Sequence, residues 1–178
     1  MRTFILVLLA VSMFFACGNE ESDTLMEIKG EPAELSIVTG VNFYDVNGSP
    51  IGKIGNPNTL TNENLAVHPI PGDGKVTFQN LNGNGLDFWV LPVEKNKDFE
   101  TVDYNTINFD YPTSILDSLH VMRGNTDLTS LKVSLDFFDA GYYRLFVEDR
   151  EGNKTIENIY HDPELTANEI IVFLNSEF

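Results

Sequence analysis

The chain has 178 residues, 42% of them apolar, with 27 acidic against 11 basic side chains and a single Cys. That apolar share is too high for a disordered acidic chain. A formal charge of −16 argues against a nucleic-acid partner, because phosphates need Lys and Arg to neutralise them. One Cys excludes an intramolecular disulfide and zinc sites built on Cys pairs, and the length suits one ordinary domain or two small ones.

Residues 1–17 read MRTFILVLLAVSMFFAC. Arg2 supplies a positive start, and the run from Phe4 to Ala16 is apolar except for Ser12. A helix needs about 20 apolar residues to span a bilayer core, so this shorter run fits a secretory leader ending at a small residue. Phe14-Phe15-Ala16-Cys17 resembles the bacterial lipobox, Leu-x-(Gly/Ala)-Cys, with Phe14 in place of the usual Leu. The resemblance implies cleavage before Cys17, so that residues 1–16 are a lipoprotein signal peptide. It also implies a diacylglyceryl thioether and an N-acyl chain on Cys17, which would attach the protein to the membrane; two or more acyl chains make a stable anchor. The next residues, Gly18-Asn19-Glu20-Glu21-Ser22-Asp23, resemble the export signal of lipoproteins displayed on Bacteroidota-type cells. Their composition also suits a solvated tether. Residues 17–34 therefore read as a lipidated Cys and a flexible acidic tether, with Gly30 and Pro32 near its end. The location this implies is the outer membrane, on the cell surface, with its periplasmic face as the alternative.

From Leu35 onward the chain reads as short strands between turn clusters. The expected strands are 35–38, 41–44, 65–70, 75–81, 86–93, 118–122, 131–137, 142–148, 155–161 and 170–174, many of them rich in Val, Ile, Phe, Tyr and Thr. Asn47-Gly48 before Ile51 signals a hairpin, and Asp73-Gly74 and 149–153 are further turns. In 142–148, Tyr143, Leu145 and Val147 share one face, while Tyr142, Arg144, Phe146 and Glu148 share the other. That is the pattern of a strand with one core face. Pro112 to Ser118 and Pro163 to Asn168 each have room for a helical turn or two. The fold class expected for 35–178 is all-β, an immunoglobulin-like antiparallel sandwich with an insertion at about 94–130.

Two stretches carry a second resemblance. Leu65 to Phe78, with His68-Pro69-Ile70-Pro71 and Gly72-Asp73-Gly74, is similar to the opening of the C-terminal sorting domain of type IX secretion cargo. Leu135 to His161, with Ala140-Gly141-Tyr142 and Gly152-Asn153-Lys154, is similar to its close. The resemblance implies a small antiparallel β-sandwich. The sorting function is not carried over, because the chain continues for 16 residues past Asp162 and its last four, Asn175 to Phe178, contain no Lys.

No motif commits the chain to catalysis. His68, His120 and His161 are scattered, with no His-x-x-x-His pair for a metal, and their expected role is surface or edge packing. There is no G-x-S-x-G elbow, and Gly83-Asn84-Gly85 lacks the Lys-Ser/Thr of a phosphate loop. Asp45 and Asp149 begin calcium-like patterns, but a full loop needs a Glu at its twelfth position, where the count from Asp45 reaches Asn56. Both stretches suit tight turns. The expectation is thus a non-enzyme with no catalytic residue, no metal and no cofactor. Trp89 and Phe88 lie on opposite faces of one strand, so Trp89 either offers an exposed ring or is covered by the insertion. Tyr104, Phe109 and Tyr111 in that insertion are candidates for a binding loop, or a lid over the domain's own apolar face. The functional expectation is a non-catalytic binding or envelope-associated module, with a surface glycan or a protein complex as partner. The alternatives are an accessory subunit of a surface uptake or secretion complex, and a type IX cargo-like protein.

Overall fold

The computed structural model describes residues 35–178; the expectations for the leader, Cys17 and the tether fall outside the described residues. These residues form an all-β antiparallel sandwich with two short helices, the class the strand pattern predicts. In chain order the strands are β1 (Ile37–Val38), β2 (Gly40–Tyr44), β3 (Pro50–Gly55), β4 (Leu65–His68), β5 (Lys75–Asn80), β6 (Leu86–Lys95), β7 (Met122–Thr126), β8 (Ser130–Ser134), β9 (Gly141–Asp149) and β10 (Lys154–His161). The α-helices are α1 (Thr113–Leu119) and α2 (Ala167–Glu177), and Tyr104–Thr106 forms a single 3₁₀ turn.

One sheet runs β1-β6-β9-β10, with β7 also paired to β6; the facing sheet runs β4-β5-β8, and β2-β3 is a hairpin. All pairings are antiparallel except the short β1–β6 contact, where Ile37 and Val38 lie opposite Glu94 and Lys95. The period-two alternation of β9 dictates its packing. Tyr143, Leu145 and Val147 enter the sandwich core, as their shared face predicts. Phe78 of β5 stacks on Phe88 of β6 at 4.7 Å, which joins the two sheets.

Two expected strands are corrected. Residues 118–122 span the end of α1 and the first residue of β7. The helix follows Pro112 and is anchored by buried Leu116, and β7 must place Gly124 against Phe88, where a Cβ would come within 2.6 Å of the ring. Residues 170–174 belong to α2. Their continuous apolar run imitates a strand, but Ile170 and Leu174 are one helical turn apart and both are buried in the main core. Upstream, Thr166 and Glu169 form a reciprocal capping box that starts the helix.

The hairpin also exceeds what the pattern shows. β3 is exposed over most of its length, so it carries no apolar alternation, and only its turn is legible. That turn is tied by Asp45, whose carboxylate accepts from the amides of Asn47 at 2.8 Å and Ser49 at 2.9 Å. Reciprocal amide–carbonyl bonds link Tyr44 to Ile70 (2.8 and 3.0 Å) and Leu60 to Ile156 (3.0 and 2.7 Å). The hairpin is thereby fixed near β4, and the segment after it runs along the outer edge of β10.

Candidate functional site

The candidate residues Trp89, Tyr104, Phe109 and Tyr111 do come together, as a covered cluster and not as an exposed binding surface. Trp89, Tyr104 and Phe109 are 2%, 7% and 3% exposed. They pack with Leu91, Leu116, Phe146 and Ile156 on the side of β6-β9-β10 that faces away from the sandwich core, with Tyr111 against them. The Trp89 indole N–H donates to Asp117 of α1 at 2.7 Å. Arg123 of β7 lies over the indole ring, 5.2 Å from its centroid, and pairs with Asp117 at 2.9 Å. The 96–121 segment is thus a lid over an apolar sheet face. The physical reason is that both faces of β6 are apolar, so the second needs its own cover.

The turn aspartates are engaged locally. Asp149 accepts from the amides of Glu151 and Asn153 and from the Asn153 side chain at 2.8–2.9 Å. Burial alone would raise its pKa, but these donors together hold it below the usual carboxylate value. Among the described residues no group of three or more His, Cys, Asp or Glu gathers as a metal site. Of the surface or edge packing expected of the histidines, His68 and His161 show the edge form: each is buried, at the end of the edge strands β4 and β10. His68 meets Gln79 at 3.2 Å.

Beneath the lid, a polar network crosses the outer sheet. Arg144 of β9 is fully buried. Its guanidinium donates to Asn158 Oδ1 and to the Asn58 carbonyl, each at 3.1 Å. Burial lowers its pKa to about 10. Asn58 Oδ1 accepts from the Thr39 amide at 3.2 Å and from Asn158 Nδ2 at 2.9 Å, while Asn58 Nδ2 donates to the Ile37 carbonyl at 3.0 Å. Such partners are what a buried polar group requires.

Beside this network opens a cleft of about 290 Å³. The hairpin contributes Asn42, Tyr44 and Lys53; the following segment contributes Asn56, Thr59 and Thr61; the lid contributes Asp103 and Asn105. Gly40 makes the enclosure possible, because a Cβ there would lie 2.5–2.7 Å from the backbone of Ile54, Asn56 and Pro57. Asn56 Nδ2 clasps the lid by donating to the carbonyls of Phe99 at 3.1 Å and Val102 at 2.8 Å.

A second cleft of about 190 Å³ shares Tyr44 and Thr61 with the first and reaches Glu157 of β10. Glu157 is 2% exposed. One carboxylate oxygen accepts from the Tyr44 hydroxyl at 2.8 Å, the other from Asn42 Nδ2 at 3.1 Å. Asn42 Nδ2 also donates to Thr59 Oγ1 at 2.9 Å. Burial raises the Glu157 pKa to about 7, against the lowering effect of these two donors. Burial and then the Glu157 charge push the Tyr44 phenol upward in turn.

Sequence reading misses this constellation. The available signals are the alternation that sets Asn42 and Tyr44 opposite Val41 and Phe43, and an acidic residue in the otherwise buried strand 154–161. Neither signal identifies the pairing of β2 with the neighbourhood of β10, which depends on contacts over 113 and 115 positions.

No protein-family model matches the chain, and no curated protein matches it. Among solved structures it is similar to a DUF3244 family protein with an immunoglobulin-like β-sandwich fold from Bacteroides vulgatus. The identity is 9% and the TM-score 0.37, over 56% of this chain and 85% of that one.

Proposed function

We propose that the protein is a lipid-anchored outer-membrane protein whose sandwich serves as a non-catalytic binding module on the cell surface. The anchoring half of this reading rests on the sequence: Arg2, the apolar run to Ala16, Cys17 at the end of the lipobox-like stretch, and the acidic residues that follow. The binding half rests on one observation, the polar cleft built by three separate segments around Asn42 and Tyr44. Both oxygens of Glu157 accept bonds from neutral side chains, which supports a role in holding the cleft wall. Among the described residues no helix is long and apolar enough to cross a membrane, so in this reading attachment rests on the lipid.

The test is fractionation combined with protease treatment of intact cells. Wild type should sediment with the outer membrane and lose its domain to external protease; Cys17→Ala should leave the membrane fraction. Retention of Cys17→Ala in the membrane would overturn the anchor, and protection from protease until the membrane is broken would move the domain to the periplasmic face. Phe137, 86% exposed at a turn, favours a second reading as an accessory subunit of a surface complex.

A further inference from the structure

Building on the binding-module reading, we infer that the cleft around Asn42, Tyr44 and Thr59 takes a neutral polyhydroxylated ligand, a glycan segment of hexose or pentose units. The chemistry of the lining carries the inference. Side-chain amides and hydroxyls both donate and accept, and so do sugar hydroxyls. Asn42, Asn56, Asn105, Thr59 and Thr61 line the cleft from three segments; the Nδ2 protons of Asn42 and Asn56 are engaged within the protein, so these two offer their Oδ1 atoms as acceptors, while the threonine hydroxyls can donate. An anionic ligand would want a cluster of cations; the lining here holds one cation, Lys53, and one carboxylate, Asp103. An apolar ligand would want a mostly apolar lining, whereas Pro57 and Val102 are the aliphatic contributors. A peptide adding to the sheet edge would run along β3, but that strand begins with Pro50, which has no N–H, and carries Lys53.

The polar groups are also held in place before any ligand arrives. The two protons of Asn42 Nδ2 go to Thr59 and Glu157, which leaves Asn42 Oδ1 as an acceptor. Thr59 Oγ1, already accepting from Asn42, keeps its own proton to donate. The Tyr44 hydroxyl is spent on Glu157, which fixes its ring at the boundary of the two clefts. Preorganisation of this kind lowers the entropy cost of binding. A volume of about 290 Å³ lies at the lower bound of small-molecule sites, so the cleft takes a short segment or a chain end.

The experiment is calorimetric titration of the full-length chain, purified from membranes in detergent, with maltohexaose, cellohexaose, xylohexaose and mannohexaose. Saturable binding to at least one is expected, and Thr59→Val should weaken it at least tenfold. Asn105→Ala, at an exposed position of the 3₁₀ turn Tyr104–Thr106, provides a second variant that leaves the core untouched, and should weaken binding at least threefold. Phe137→Ser, outside the cleft lining, should change nothing. No saturable binding to any of the four sugars by a cooperatively melting chain would overturn the inference, as would binding that neither cleft variant alters. A parallel titration with tryptic peptides of casein separates the two levels. Peptide binding weakened by the same variants would overturn the glycan class and keep the binding module; failure of both probe classes would count against the module itself.

Discussion

Burial of Glu157 gives folding a pH dependence of defined sign. The carboxyl titrates near pH 7 when folded, against an ordinary 4.5. Between those values the folded state holds the proton that the unfolded chain has released, so stability falls as pH rises through the window. The full loss is about 3 kcal/mol by linkage. Glu157→Gln keeps the shape and removes the titration. The stability of the variant minus that of the wild type should therefore rise by about 3 kcal/mol from pH 4.5 to pH 8, read by urea unfolding at both ends. A difference that stays flat with pH would show that Glu157 remains charged when buried. His161 acts with the opposite sign, because burial lowers its pKa and stability falls as pH drops below its ordinary 6.5; it is common to both proteins and cancels. At this scale little of the site is legible in the sequence. Trp89, Tyr104, Phe109 and Tyr111 are conspicuous because they are aromatic, and aromatic rings are also what a sheet face buries most profitably. Asn42, Asn58 and Glu157 look ordinary until the fold removes water from them.

The elements separate into those whose periodicity decides their state and those settled by tertiary contacts. β9 is legible because its alternating residues face two different environments, and β5 and β6 because apolar β-formers lie between turns. α2 is illegible from its apolar run alone, since five consecutive apolar residues fit a buried strand as well as a helix. Its capping box decides the matter locally. Thr166 accepts from the Glu169 amide, and the Glu169 carboxylate accepts from the Thr166 amide at 2.9 Å. These bonds hold the Glu169 carboxyl below its usual value. Thr166→Ala should cost about 1 kcal/mol and lower the thermal midpoint by a few degrees, without altering sugar titrations. Packing at the far end adds to this: Lys95 pairs with Glu177, and the Phe178 ring meets Tyr142 edge-on at 6.1 Å. A melting curve unchanged by Thr166→Ala would mean that tertiary packing alone forms the helix.

Across the whole molecule, β6 belongs to two cores. Phe88 and Val90 enter the sandwich, while Trp89 and Leu91 enter the cluster under the lid. A strand shared in this way leaves neither core a complete face without the other, so the described domain should unfold as one cooperative unit. The single Trp makes this measurable. Its fluorescence reports the outer cluster, far-UV circular dichroism reports the sheets, and the two urea transitions should superimpose. Separated midpoints would show that the lid side melts on its own.

The entry of the chain into β1 has a mechanical consequence. β1 is held by the amides of Glu94 and Asn96, which donate to Ser36 and Val38 at 2.7 Å, and by Asn58, which grips Ile37 and Thr39 from the other side. If the protein hangs from the membrane by Cys17, tension enters the domain at this grip. Asn58 passes it to Arg144 and Asn158, and its neighbours Asn56 and Thr59 line the cleft. A load from the membrane and a load from a captured ligand would then meet on the same few residues, and the force such an attachment withstands would be set where the cleft is built.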